Sequence, residues 1–93
     1  MTHMKSTSCV RSPFYDRFFA SAMDQRKVIL SSLLESIDRN QVVVSMSRDE
    51  LLLVIDEALT NAMEHGNNWD GAKQVHLMLW KDPHFLHVLI EDE

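Results

Sequence analysis

The chain has 93 residues, 45% hydrophobic and 25% charged, which suits one small globular domain with a modest core and not a disordered segment. Its formal charge of -5, with the basic residues scattered, excludes a basic stripe for nucleic acid or for an anionic membrane. Two glycines and two prolines are too few to write a GxGxxG dinucleotide turn or a Walker phosphate loop, and a single Cys9 forms no internal disulfide.

The start, Met1 to Ser12, has no periodicity and lacks the apolar centre of a signal peptide; with Pro13 it reads as a loose N-terminal arm, 1–13. The longest apolar run, Leu51 to Ile55, is too short to span a bilayer, so the expected location is cytoplasmic. Phe14 to Ala20 gathers most of the aromatic residues and predicts a short strand or a hydrophobic lead-in to a helix. Ser21 and Asp24 then resemble a helix N-cap, followed by Leu30, Leu33, Leu34 and Ile37 at helical spacing. That helix should end near Asn40. Gln41 to Ser45 is a β-branched patch, either a short strand or an extended connection.

The second helix is the best-marked element. Ser47 and Glu50 form a capping box just before the apolar run. Leu51, Leu52, Ile55, Ala58, Leu59, Ala62 and Met63 supply a broad apolar face, and Gly66 is expected to end the helix in the left-handed conformation. Asn67 to Gly71 is a turn-rich loop. Val75, Leu77 and Leu79 alternate with His76, Met78 and Trp80, predicting a strand. Asp82-Pro83-His84 turns the chain into a second strand, Phe85 to Ile90, giving an antiparallel hairpin. The order strand, helix, helix, strand, strand predicts an α+β two-layer sandwich, with helices on one face of a mostly antiparallel sheet. The chain stops at Glu91-Asp92-Glu93 straight after a hydrophobic strand, which reads as the first part of a longer domain with an open sheet edge.

Helix two carries a polar group consisting of Glu57, Asn61, Glu64 and His65, positions that share one face over an arc of roughly 100°. The ordinary explanation is a solvated stripe on an amphipathic helix. Asn61 is nevertheless a poor mid-helix residue, and a carboxylate and a carboxamide one turn apart are hard oxygen donors of the kind Mg²⁺ accepts beside substrate phosphates. A Glu at that distance can also orient or deprotonate a hydroxyl.

Glu57-Ala58-Leu59-Thr60-Asn61-Ala62-Met63-Glu64-His65-Gly66 resembles the N-box of the GHKL (Bergerat-fold) ATPases, and among them the anti-sigma-factor serine/threonine kinase branch, whose pattern is E-A-x-x-N-A-x-x-H-G. Val88 to Glu93 looks like the approach to the family's Asp-x-Gly-x-Gly motif, with Asp92 as its Asp. The resemblance spans residues 14–93 and implies a partial Bergerat fold that uses ATP and Mg²⁺. Carried over residue by residue, it implies Asn61 as the Mg²⁺ ligand, Glu57 as the general base and Asp92 as the acceptor for the adenine amino group, with His65 near the phosphates. It also implies phosphoryl transfer to a partner-switching protein, with a sigma factor or an anti-anti-sigma antagonist as partner. The glycines that follow the family's Asp, the lid and the later Gly-rich motif have no counterpart in this sequence. Weak or absent ATP binding by the chain is therefore expected, and a non-catalytic docking module stands as the alternative function.

Other candidates carry less. His76, His84 and His87 cluster on or beside the hairpin but match no zinc spacing. Cys9 has no neighbour in sequence to lower its pKa. Trp69 and Trp80 could stack on adenine, although packing explains them as well. The aromatic Phe14 to Phe19 segment and an open edge predict a homodimer, formed by pairing or swapping the arm.

Overall fold

Alternation along the chain builds the sheet, and the apolar stripes of two helices cover one of its faces. The computed structural model describes residues 2, 3 and 12–93. In chain order the elements are β1 (Thr2–His3), β2 (Tyr15–Ala20), α1 (Gln25–Arg39), α2 (Arg48–Asn61), β3 (Gln74–Lys81) and β4 (Leu86–Glu91). The strands form one antiparallel sheet in the order β1-β4-β3-β2. The expected α+β two-layer sandwich is thus observed. Of the N-terminal arm, Thr2 and His3 pair with Ile90 and Leu89, while Met1 and residues 4–11, Cys9 among them, lie outside the described residues. Among the described residues no helix is long and apolar enough to cross a membrane.

Register decides which side chains meet. Leu79 lies opposite Val88 and Tyr15, and Leu77 opposite Ile90, so these residues share the face that the helices cover. They join Ile29, Leu33, Ile37, Leu51, Ile55, Leu59 and Met63 in one core. On α1 the fully covered positions are Ile29, Leu33, Ser36 and Ile37, while Leu30 and Leu34 sit at the margin. The buried stripe is therefore rotated slightly from the one the leucines alone suggest. Arg26 clasps Asp56 with both nitrogens of its guanidinium edge, at 2.8 and 3.1 Å, tying α1 to α2.

The start of α1 corrects one expectation. Asp24 is the residue before α1, but its side chain makes no capping bond, and Ser21 is buried elsewhere. The first amides of α1 are instead taken by backbone carbonyls of the preceding turn, Gln25 N–H by Ala22 and Arg26 N–H by Met23. At the other end, Gln41 adopts a φ of 54° and lets Val42 N–H close back on Ile37 O. Gln41 to Ser45 then runs as an extended connection without strand pairing. Ser47 does cap α2, accepting from Glu50 N–H at 3.2 Å and donating its hydroxyl to the Glu50 carboxylate.

The sheet face away from the helices is aromatic. Phe18 stacks on His76 with ring centroids 4.1 Å apart, and Trp80 stacks on His87 at 5.2 Å. His76 Nε2 meets Asp16 at 2.6 Å. His87 is fully buried, with Nε2 on Asp82 at 2.6 Å and, among the described residues, no partner for Nδ1.

Candidate functional site

The site grows from the last turns of α2. After Asn61 the helix widens into a π-helical turn, Ala62–Gly66. Its carbonyls are closed by the following loop: Asn67 N–H to Ala62 O at 3.0 Å, Asn68 N–H to Glu64 O at 3.0 Å, and Trp69 N–H to Met63 O at 2.7 Å. Such widened turns occur mainly at functional sites, where they let one stretch of a helix point differently from the rest.

Gly66 does not take the left-handed conformation expected of it. That conformation falls on Asn68 and Trp69, with φ of 57° and 55°. Gly66 is a glycine for a different reason. A Cβ built there would lie 2.0 Å from Asp92 Oδ2, 2.3 Å from its Cγ and 2.6 Å from its Cβ. The absence of a side chain lets the carboxylate at the end of β4 lie flat against the end of the helix. The second motif residue is thereby brought to the first motif.

Asn67 holds this junction and was not singled out by sequence reasoning. It is completely buried and makes three bonds with its amide: Nδ2 to Ser21 Oγ at 2.6 Å, Nδ2 to Gln74 O at 2.9 Å, and Oδ1 from Glu93 N–H at 2.9 Å. One side chain thus ties the segment after β2, the start of β3 and the end of β4 to the end of the helix. Ser21, read from sequence as a cap, is part of this anchor. The signal that could have found Asn67 is its place directly after His65-Gly66, but its loop neighbours Asn68, Asp70 and Gly71 made it read as a turn residue.

Glu57, Asn61 and His65 lie on open surface, whereas Asp92 is half-buried. Glu57 and Asn61 are exposed on the same side of α2, one turn apart. His65 is exposed in the wide turn, its Nε2 3.8 Å from the Glu64 carboxylate. Asp92 is half-buried at the mouth of a cavity of about 400 Å³ lined by Phe18, Gln74, His76, Glu91 and Glu93 as well. Glu57 and Asn61 do not line that cavity. Gly66 and Asp92 are therefore in contact, whereas the Glu57 and Asn61 pair stands on its own helical face. Trp80 is buried against His87, and Trp69 packs at the margin of the core.

The donor set can be tested against a metal and a nucleotide. Mg²⁺ in phosphoryl-transfer sites takes one or two protein oxygens and completes its shell with phosphate and water. Asn61 and Glu57 offer that number, both facing solvent. Among the described residues, no group of three or more His, Cys, Asp or Glu could hold a metal ion. The residues present fit a cation shared with phosphate and do not form a cage for a resident one. The Gly66–Asp92 contact fits a carboxylate kept in place to accept a hydrogen bond from a base.

A covered antiparallel sheet, an N-box helix and an acidic residue at its terminus define a nucleotide-binding domain of the GHKL class. Residues 19–93 match the family of the histidine kinase-like ATPase domain, and the chain belongs to that family, whose members are ATP-binding domains. No match was found among curated proteins or among solved structures.

Proposed function

We propose that the chain is an ATP-binding regulatory protein resembling the anti-sigma-factor serine/threonine kinases, serving phosphoryl transfer from Mg-ATP to a partner-switching antagonist. The observation that carries this reading is the packing of Asp92 against Gly66 at the end of the N-box helix. Two motifs far apart in sequence converge there on one corner of the fold.

Each side chain then has a task it can perform from its observed position. Asp92, backed by Gly66 and by the Asn67 bond to Glu93 N–H, accepts a hydrogen bond from the adenine amino group. Asn61 offers its amide oxygen to the cation, and His65 lies one turn further on, towards the phosphates. Glu57 orients the accepting serine or threonine hydroxyl and takes its proton. Bound Mg²⁺ would supply charge neutralisation at the transferred phosphate. The protein partner would be a sigma factor, its antagonist, or both.

Titration with Mg-ATP, followed residue by residue through amide NMR shifts, tests the assignment even when affinity is only millimolar. Shifts should cluster at Asn61, His65, Gly66 and Asp92. In Asn61→Ala the response at Asp92 should persist while its dependence on Mg²⁺ disappears. No shift at any of these residues up to about 10 mM nucleotide would sink the reading and favour the docking module.

A further inference from the structure

The end of β4 carries Asp92 between two glutamates, and both are tied back to β3. Glu93 accepts from Gln74 N–H at 2.6 Å and donates its own amide to Asn67. Glu91 is held by a group of a different kind. It lies opposite His76 in the register of β3 and β4, and its Oε1 is 3.4 Å from His76 Nδ1. The other ring nitrogen, Nε2, meets Asp16 of β2 at 2.6 Å. Phe18, opposite His76 on the β2 side, stacks on the ring at 4.1 Å with the planes 7° apart. The stack fixes the ring plane, so neither nitrogen turns to a new partner without breaking it.

His76 therefore bridges carboxylates on two different strands, and what the bridge can do depends on its proton count. With both nitrogens protonated, the ring donates to Asp16 and to Glu91 at once. With one proton it donates to a single carboxylate, and the shorter contact gives that bond to Asp16. Nδ1 then presents a lone pair to Glu91, and the glutamate loses its hold on β3. The charged groups that face the ring are Asp16 from β2 and Glu91 from β4, and Asp92 and Glu93 line a cavity with it. Its same-face neighbours on its own strand, Gln74 and Met78, are uncharged. The His76 side chain is 19% exposed, so solvent protons reach it.

We propose that His76 is a positioning residue for Asp92, acting through Glu91 so that the placement of the β4 end, and with it nucleotide affinity, depends on pH. Its effect on nucleotide affinity rests on the function proposed above; its coupling to the β4 end does not.

NMR of the intact chain without nucleotide, following the His76 ring and the Asp16, Glu91, Asp92 and Glu93 amides from about pH 5 to 8, tests the coupling. The expected result is that the ring and the Glu91 and Asp92 amides shift with one shared midpoint. In Glu91→Gln the ring should still titrate while the Asp92 amide stops following it, because a carboxamide can pair with either state of the ring. In His76→Gln the amides should lose the transition altogether. Mg-ATP titrations at the two ends of the range then read the consequence. Comparison with His76→Gln cancels the titration of the terminal phosphate itself. Relative to that variant, the parent should bind about threefold or more tighter at the acid end than at the basic end. An Asp92 amide that ignores the His76 midpoint would overturn the proposal. So would nucleotide binding with the same pH dependence in parent and His76→Gln. If no nucleotide binds at either end, the function proposed above fails, and the amide titration alone decides the coupling.

Discussion

Gly66→Ala sets two opposed effects against each other, and the structure says which prevails. In a helical turn, replacing Gly by Ala ordinarily stabilises by about 0.5–1 kcal/mol, and Gly66 carries no positive φ that would penalise the new side chain. Against this, the added methyl would sit 2.0 Å from Asp92 Oδ2 and must reach ordinary contact at about 3.4 Å. Rotating the carboxylate away does not help, because Asp92 Cβ is itself only 2.6 Å distant. The backbone there is held on both sides, by Glu91 in register with His76 and by Glu93 N–H on Asn67. Overpacking of a fixed site costs about 1–3 kcal/mol. The net expectation is a loss of about 1–2 kcal/mol, read by urea denaturation, with Asp92 displaced by more than an ångström. If Asp92 serves adenine, the same variant should weaken ATP binding about tenfold or more. A Gly66→Ala protein more stable than the parent by the helix-propensity increment would refute the steric argument outright.

Two further outcomes follow from the same junction and from the hairpin turn. Asn67→Ala removes three hydrogen bonds, one buried and two part-buried, and takes the partner from the Ser21 hydroxyl, the Gln74 carbonyl and the Glu93 amide; denaturation should show a loss of about 2–4 kcal/mol, well above that of a surface Asn. The His87 hydrogen bond, with the backbone amides of His84 and Phe85, holds the Asp82 carboxyl down from 3.8 to about 2. Because the folded value is depressed, this stabilisation is present above pH 3.8 and is lost as pH falls towards 2. Asp82→Asn should flatten the acid limb of stability in that window, and an unchanged acid limb would show that the turn carries no such linkage.

Local signals were read correctly where a single element could state its own requirement. Ser47 and Glu50 mark a helix start because the cap bonds close within four residues. Val75, Leu77 and Leu79 mark a strand because a sheet with one covered face imposes a period of two. The reading failed where a residue answers to something distant. Gly66 does end the helix, but not in the left-handed conformation expected of it; its requirement is set by Asp92, just past β4 near the other end of the sequence. Ser21 looked like a cap and is half of a buried bond to Asn67. His87 lies on the hairpin as expected, but its burial against Trp80 and Phe85 is set by cross-strand and neighbouring rings.

The sequence by itself determined the two long helices and the β3–β4 hairpin, the layer that their apolar stripes must cover, and the helix that presents Glu57, Asn61 and His65, since periodicity and capping are properties of consecutive residues. Only the tertiary structure decided that Asp92 rests on Gly66 and that Asn67 locks the corner where they meet. Those facts depend on sheet order and register, which arise from contacts among segments that no local pattern encodes.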